Sequence, residues 1–132
     1  MNTFLEKTNQ NLSSAQILLD QSHYSSSVHC SFYGCLQTMA HTLFIKLNHN
    51  KLQFDYDRRL RKMETHQYIF ALIKKEVEKS LKPEYNWFIH NYSKLKKLRE
   101  QADYSEDPIT HSQGYEALNM ADAINNLINK LS

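Results

Sequence analysis

The chain has 132 residues, a formal net charge of +2 from 16 Lys or Arg against 14 Asp or Glu, and 41% hydrophobic residues. That length suits one domain with a sizeable core and is short for two, so residues 1–132 are read as a single helical domain. No apolar run approaches the ~20 residues needed to cross a bilayer, and MNTFLEKTNQ lacks both a basic start and an apolar h-region, so a soluble, unexported, cytoplasmic protein without a membrane partner is expected.

Two glycines and two prolines are few punctuation marks for such a chain, which predicts long helices with few connections, an all-α fold. The first helix follows Thr3, whose hydroxyl and Glu6 form a T-x-x-E capping box; Leu5, Leu12, Ala15 and Leu19 mark its apolar stripe. After QSHYSSS a second helix is expected from Tyr24 to Leu47, with Val28, Phe32, Leu36, Met39, Leu43 and Leu47 facing the core. The stretch NHNKLQFDYDRRLRKME has no sustained period and reads as a long polar connection, with at most a short turn at its centre. A third helix begins near Thr65 with Ile69, Leu72, Ile73 and Val77 on one face. The fourth opens at Pro83, carries Tyr85, Phe88, Tyr92, Leu95 and Leu98 or Ala102, and stops at SEDP, because Pro108 disfavours helix at Asp107. The fifth is capped by Thr110 with Gln113 and buries Ala117, Ala121, Ile124, Ile128 and Leu131. The sum is a five-helix, up-and-down antiparallel bundle.

The small net charge conceals a division. Residues 1–50 are neutral, residues 51–100 hold thirteen cations against seven acids, and residues 101–132 hold Lys130 against five acids. A basic middle and an acidic end suit an anionic partner, or attraction between parts of the fold or between two copies. Arg58, Arg59, Arg61, Lys62, Lys94 and Lys97 are the candidate phosphate contacts; Lys96 turns ~200° away from Lys94 on an ideal helix. A solvated helix face is the plainer account of the same lysines.

Seven histidines raise the question of a metal, but no pair is spaced four apart on one helix, and no acid sits at a useful offset. Cys30 and Cys35, five apart on one helix, point in different directions and read as reduced thiols. No phosphate loop, nucleophile elbow or dinucleotide turn occurs, so no cofactor is implied. Phe32, Met39, Phe88, Ile124 and Ile128 are assigned to the core, and Tyr24, Tyr33, Tyr68 and Trp87 to core or subunit interface.

The landmarks come in a particular order: Tyr24 with two small residues, then CSFYGCLQTMAHTLF, then METHQYIFALI with its Thr-His step, then LREQADY, and finally a helix with Ala117, Ala121 and Ala123. In this order they resemble the HEPN family of small helical domains, in particular its stand-alone group with an R-x-x-A-D-Y step. The resemblance covers nearly the whole chain. It implies a HEPN-like bundle that forms a homodimer and partners a minimal nucleotidyltransferase in toxin–antitoxin pairs. Several relatives are metal-independent ribonucleases whose motif is an arginine followed, after four to six intervening residues, by a histidine. The histidine moves protons to and from the 2′-hydroxyl and the leaving oxygen while the arginine neutralises the phosphate.

Carried over by position, the motif arginine is Arg99, Asp103 lies within the step, and Tyr104 stands where the histidine would be. A phenol whose ordinary pKa is ~10 is a poor base near neutrality. The resemblance therefore implies a binding module engaging RNA or nucleotide, with a ribonuclease of altered site (Arg99, Tyr104, Asp103) as the alternative. Arg61 and His66 also satisfy the bare arginine–histidine spacing, and Arg59 a longer version, but both matches fall at the start of the third helix rather than the end of the fourth, and His66 is expected to cap or orient that helix start. An approach of His66 to Arg99 across a folded cleft would revive the catalytic reading. Pairing of Arg99 with Asp103, four residues on, is the plainer expectation.

Overall fold

The computed structural model describes residues 3–131, and the fold is all-α. Helix α1 spans Phe4–Asp20, α2 Tyr24–His41, α3 Lys51–Leu60, α4 Thr65–Ser80, α5 Tyr85–Tyr104 and α6 His111–Ile128. Thr3 with Glu6 and Thr110 with Gln113 form the expected capping boxes of α1 and α6. Pro83 sits in a short 3-10 turn, Lys82–Glu84, just ahead of α5.

Helix α2 is the central element and packs against α1, α4, α5 and α6. Its Val28, Cys35 and Met39, and Leu43 just after it, are fully buried with Phe88 and Leu95 of α5 and Ala121 and Ile124 of α6. On α1 the stripe is displaced from expectation: Leu5 is exposed, while Thr8 is buried and its hydroxyl meets the Gly34 carbonyl and Thr38 of α2. Both glycines serve close packing. A methyl on Gly34 would stand 2.8 Å from Leu12 Cδ2, and one on Gly114 would stand 3.0 Å from Leu19 Cδ1.

Left-handed turn positions, usually glycine's, fall instead to Ser22, Asn48 and Lys62, at φ 64, 53 and 54°. Helix α1 ends in a Schellman pattern, with the His23 amide on the Leu18 carbonyl and Ser22 on Leu19. Helix α3 ends in the same way, Met63 on Arg58 and Lys62 on Arg59.

Two expectations are corrected. The second helix does not run regularly to Leu47: its last turn, Thr42–Lys46, widens into π geometry, with the Leu47 amide on the Thr42 carbonyl at 2.8 Å. The polar connection expected over residues 48–64 holds a ten-residue helix, α3. Asn50 caps it by accepting from the Gln53 amide at 2.9 Å, and Gln53 donates to Asp57 one turn on. Its only buried side chain is Phe54, wedged between Phe44 at 5.1 Å and Tyr68 at 5.0 Å. Leu52, Tyr56 and Leu60 recur at four-residue spacing along it, but all three are exposed, so this short stripe does not mark a core face. Among the described residues no helix is long and apolar enough to cross a membrane.

Candidate functional site

Helix α5 carries Tyr92, Lys96, Arg99 and Asp103 at i, i+4, i+7 and i+11, so one face presents all four. That face meets the start of α4 and the middle of α2, leaving a cleft of about 360 Å³. Phe32, Phe70 and Tyr92 give it apolar walls; Lys96, Arg99, His66, Glu64, Gln67, Ser93 and Glu100 supply its polar groups. Phe70 and Tyr92 lie face to face at 3.8 Å and 7°, which holds that wall flat.

Arg99 is the hub. Its side chain is only 16% exposed. Nη2 donates to Tyr33 Oη at 3.0 Å, and Nε faces Asp103 Oδ2 at 3.1 Å as an ion pair outside hydrogen-bond alignment. The guanidinium lies 5.2, 5.6 and 5.4 Å from the ring centres of Phe32, Tyr33 and Tyr104. Burial works against its charge, but the Tyr33 hydrogen bond, with Tyr33, Tyr104 and Asp103 nearby, outweighs that and raises its pKa. The cation is thus permanent and held in one orientation.

Asp103 also links to α2. His29 Nδ1 lies 3.0 and 3.1 Å from its two oxygens. The Tyr33 ring packs between two imidazoles, His29 at 4.5 Å and His66 at 5.4 Å. His66 does not cap α4, contrary to expectation: Glu64 and Gln67 form that capping box. Its ring turns instead toward Tyr33 and the cleft it shares with Arg99. Burial and the Arg99 charge lower the His66 pKa, with Glu64 opposing, so its neutral form is favoured.

The basic residues separate by surroundings. Arg58 is turned inward, donating Nη1 to the Met63 carbonyl at 3.1 Å, and so helps close the end of α3. Lys94 pairs with Glu116 of α6 at 2.7 Å. Arg61 lies over the Tyr68 ring at 5.8 Å, and Arg59, Lys62 and Lys97 are exposed. Two members of the expected strip, Arg58 and Lys94, thus have partners within the chain, and the lysine that lines the cleft is Lys96, the one turned away from Lys94. Tyr104 is 76% exposed and covers Arg99 from outside without lining the cleft.

His29, Tyr33 and Lys96 were not expected at the site. The available signal was His29, Tyr33 and Gln37 at four-residue spacing, a polar edge along an otherwise apolar helix. Together the cleft offers two cations set against Glu64 and Glu100, an imidazole biased toward neutrality and flat aromatic walls, with Arg99 the oriented group that an anion attached to a ring could meet. No protein-family model, curated protein or solved structure matches the chain.

Proposed function

We propose that the chain is a HEPN-like binding module that takes the phosphate of an RNA or nucleotide between Arg99 and Lys96. One observation carries this reading: an oriented guanidinium and a lysine line one cleft beside aromatic walls. Arginine's fixed fork suits phosphate oxygens, and a cleft of about 360 Å³ is within the ~300–1,000 Å³ range of small-ligand sites. The five-helix HEPN-like bundle, with α3 as an added arm, the homodimer and the nucleotidyltransferase partner of a toxin–antitoxin pair belong to this reading through the motif order. The division of charge between the middle and the end of the chain supports association. The test is binding of labelled single-stranded RNA and of nucleotide at low and high salt. Arg99→Ala and Lys96→Ala should each weaken it, and unchanged affinity in both would remove the cleft from consideration.

A second reading, metal-independent RNA cleavage, is favoured by the shared cleft of His66 and Arg99. A neutral imidazole can accept the 2′-hydroxyl proton as that oxygen attacks phosphorus; the bond from phosphorus to the 5′-oxygen breaks, the departing oxygen takes a proton from water, and a 2′,3′-cyclic phosphate is left, with Arg99 and Lys96 neutralising the phosphate. Incubation of mixed RNA in EDTA tests it. Cleavage abolished by His66→Ala and Arg99→Ala but retained by Tyr104→Phe places the base at His66; cleavage that survives His66→Ala excludes that role.

A further inference from the structure

We propose that the outer face of α3, formed by Leu52, Tyr56 and Leu60, is a docking surface for α3 of a second copy of the chain, paired antiparallel about a two-fold axis at Tyr56. The three side chains stand four residues apart on a ten-residue helix. Leu52 and Tyr56 are each two residues from Phe54, ~200° round an ideal helix, so the stripe lies opposite the one side chain that anchors α3. Leu52 and Leu60 are 82% and 67% exposed, more than any other large aliphatic side chain among the described residues. Single exposed apolar residues are ordinary. Three in line, on a helix shorter than the ~12–15 residues needed for stability in isolation, mark an interaction face.

The stripe is complementary to itself. Leu, Tyr and Leu at equal steps read the same in both directions, so the antiparallel pair sets Leu52 against Leu60 of the partner subunit and Tyr56 against its own copy. Asp55 and Arg59 lie one turn apart along one edge of the stripe. In the pair, Arg59 stands about 3 Å along the axis from Asp55 of the partner subunit, within reach of an arginine side chain. Within the chain, Asp55 Oδ1 makes only a long ion pair among the described residues, 4.0 Å to Arg58 Nε.

The basic character of residues 51–62 does not oppose this pairing, because three of the five cations are turned onto their own chain. Lys51 lies 5.6 Å from the Phe44 ring centre, Arg61 lies 5.8 Å from that of Tyr68, and Arg58 donates to the Met63 carbonyl. Arg59 and Lys62 remain, against Asp55 and Asp57, so the outer face is balanced in charge. The same inward turn disfavours an anionic lipid surface as the occupant, since that surface would draw the cations outward beside the leucines. One short helix on each side is less than the ~20–30 residues a side of a stable interface, so the dimer is weak and concentration-dependent.

The inference rests on the homodimer of the proposed function and gives it a surface, while RNA binding in the Arg99 cleft is measured separately. Sedimentation equilibrium from about 10 µM to about 1 mM compares wild type, the double variant Leu52→Gln/Leu60→Gln, and Ile17→Gln, which changes an exposed aliphatic residue on α1. Wild type is expected to dimerise within that range. The double variant should weaken dimerisation at least about tenfold, and Ile17→Gln should change it less than about twofold. Amide exchange in α3 should slow as wild-type concentration rises and stay constant in the double variant. All the replaced side chains are exposed, so the melting temperatures of the three proteins should agree at low concentration.

A monomer throughout overturns both the surface and the homodimer. A dimer that the double variant retains overturns the surface and leaves the homodimer standing. Stripe-dependent binding to phosphatidylserine–phosphatidylcholine vesicles without dimerisation assigns the leucines to a membrane and also overturns it. A stripe-dependent dimer in a protein that binds no RNA supports the surface and defeats the phosphate reading instead.

Discussion

Two regions concentrate positive charge, and they use it differently. Around α3 and the turn after it, Arg59, Arg61 and Lys62 are exposed, while Arg58 supports the chain's own backbone. At the α2–α4–α5 cleft, Arg99 lies among aromatic rings and is held by a phenol and a carboxylate, with Lys96 exposed at the cleft's edge. Water screens the first group, whereas burial around Arg99 lowers the local dielectric and fixes the direction of its charge. Charge density along a chain thus shows where cations are plentiful, and burial decides where one is oriented.

The comparison predicts its largest contrast for Arg99→Ala. Tyr33 Oη and Asp103 each lose a partner in a poorly solvated place, so the protein should lose about 1–3 kcal/mol by denaturant unfolding. Binding of RNA or nucleotide in the cleft should fall at least about tenfold, the loss of one charge-assisted contact. Arg59→Ala on the exposed side should shift stability by no more than about 0.5 kcal/mol. Equal effects from the two substitutions would erase the distinction.

Arg58→Ala comes next and tests whether charge or capping is its use. Arg58 donates to the Met63 carbonyl next to the left-handed Lys62, so removing it should cost about 1 kcal/mol. If Arg58 instead served a phosphate, the substitution would flatten the salt dependence of RNA affinity, by about 0.7 in the log–log slope for a single strand. The expected result is lost stability with an unchanged slope.

How much of this was legible follows the same line between repetition and singularity. The stripes of α4, α5 and α6 repeat at helical spacing, and Ile73, Val77, Phe88, Leu95, Ala117, Ala121, Ile124 and Ile128 are fully buried. Capping boxes carry short-range signatures and were readable at Thr3 and Thr110. Helix α3 was missed because its apolar repeat, Leu52, Tyr56 and Leu60, is short and exposed, while its one buried side chain, Phe54, packs on Phe44 and Tyr68, which are distant in sequence. Turns at Ser22, Asn48 and Lys62 were obscured because the glycines were placed where helices approach closely.

At the site, Arg99 and its pairing with Asp103 were visible as an i, i+4 relation on one helix. The contributions of His29, Tyr33 and His66 were not, since each reaches Arg99 or its partners from a different helix. The Arg61–His66 spacing drew attention to His66, which lines a cleft with Arg99 and not with Arg61. His66 shares its cleft with Arg99 from α5, a relation that only the packing of α4 on α5 creates.

The smallest predicted effect is a change in how His66 titrates, and it separates the two basic regions most finely. Burial and Arg99 lower its pKa in the folded protein, so just below its ordinary value of ~6.5 the unfolded chain binds more protons than the folded one. Its contribution to stability is therefore fully present above ~6.5 and is lost as pH falls through the lowered folded value. His41 is lowered too, by burial and Lys46, so the difference between wild type and His66→Gln isolates the His66 contribution. In a histidine NMR titration, the His66 midpoint should lie below ~6.5 and rise toward it in Arg99→Ala. Arg59→Ala should leave it in place, because the charge acting on His66 comes from across the cleft. A midpoint insensitive to Arg99 would mean that the two side chains do not act on the same bound group.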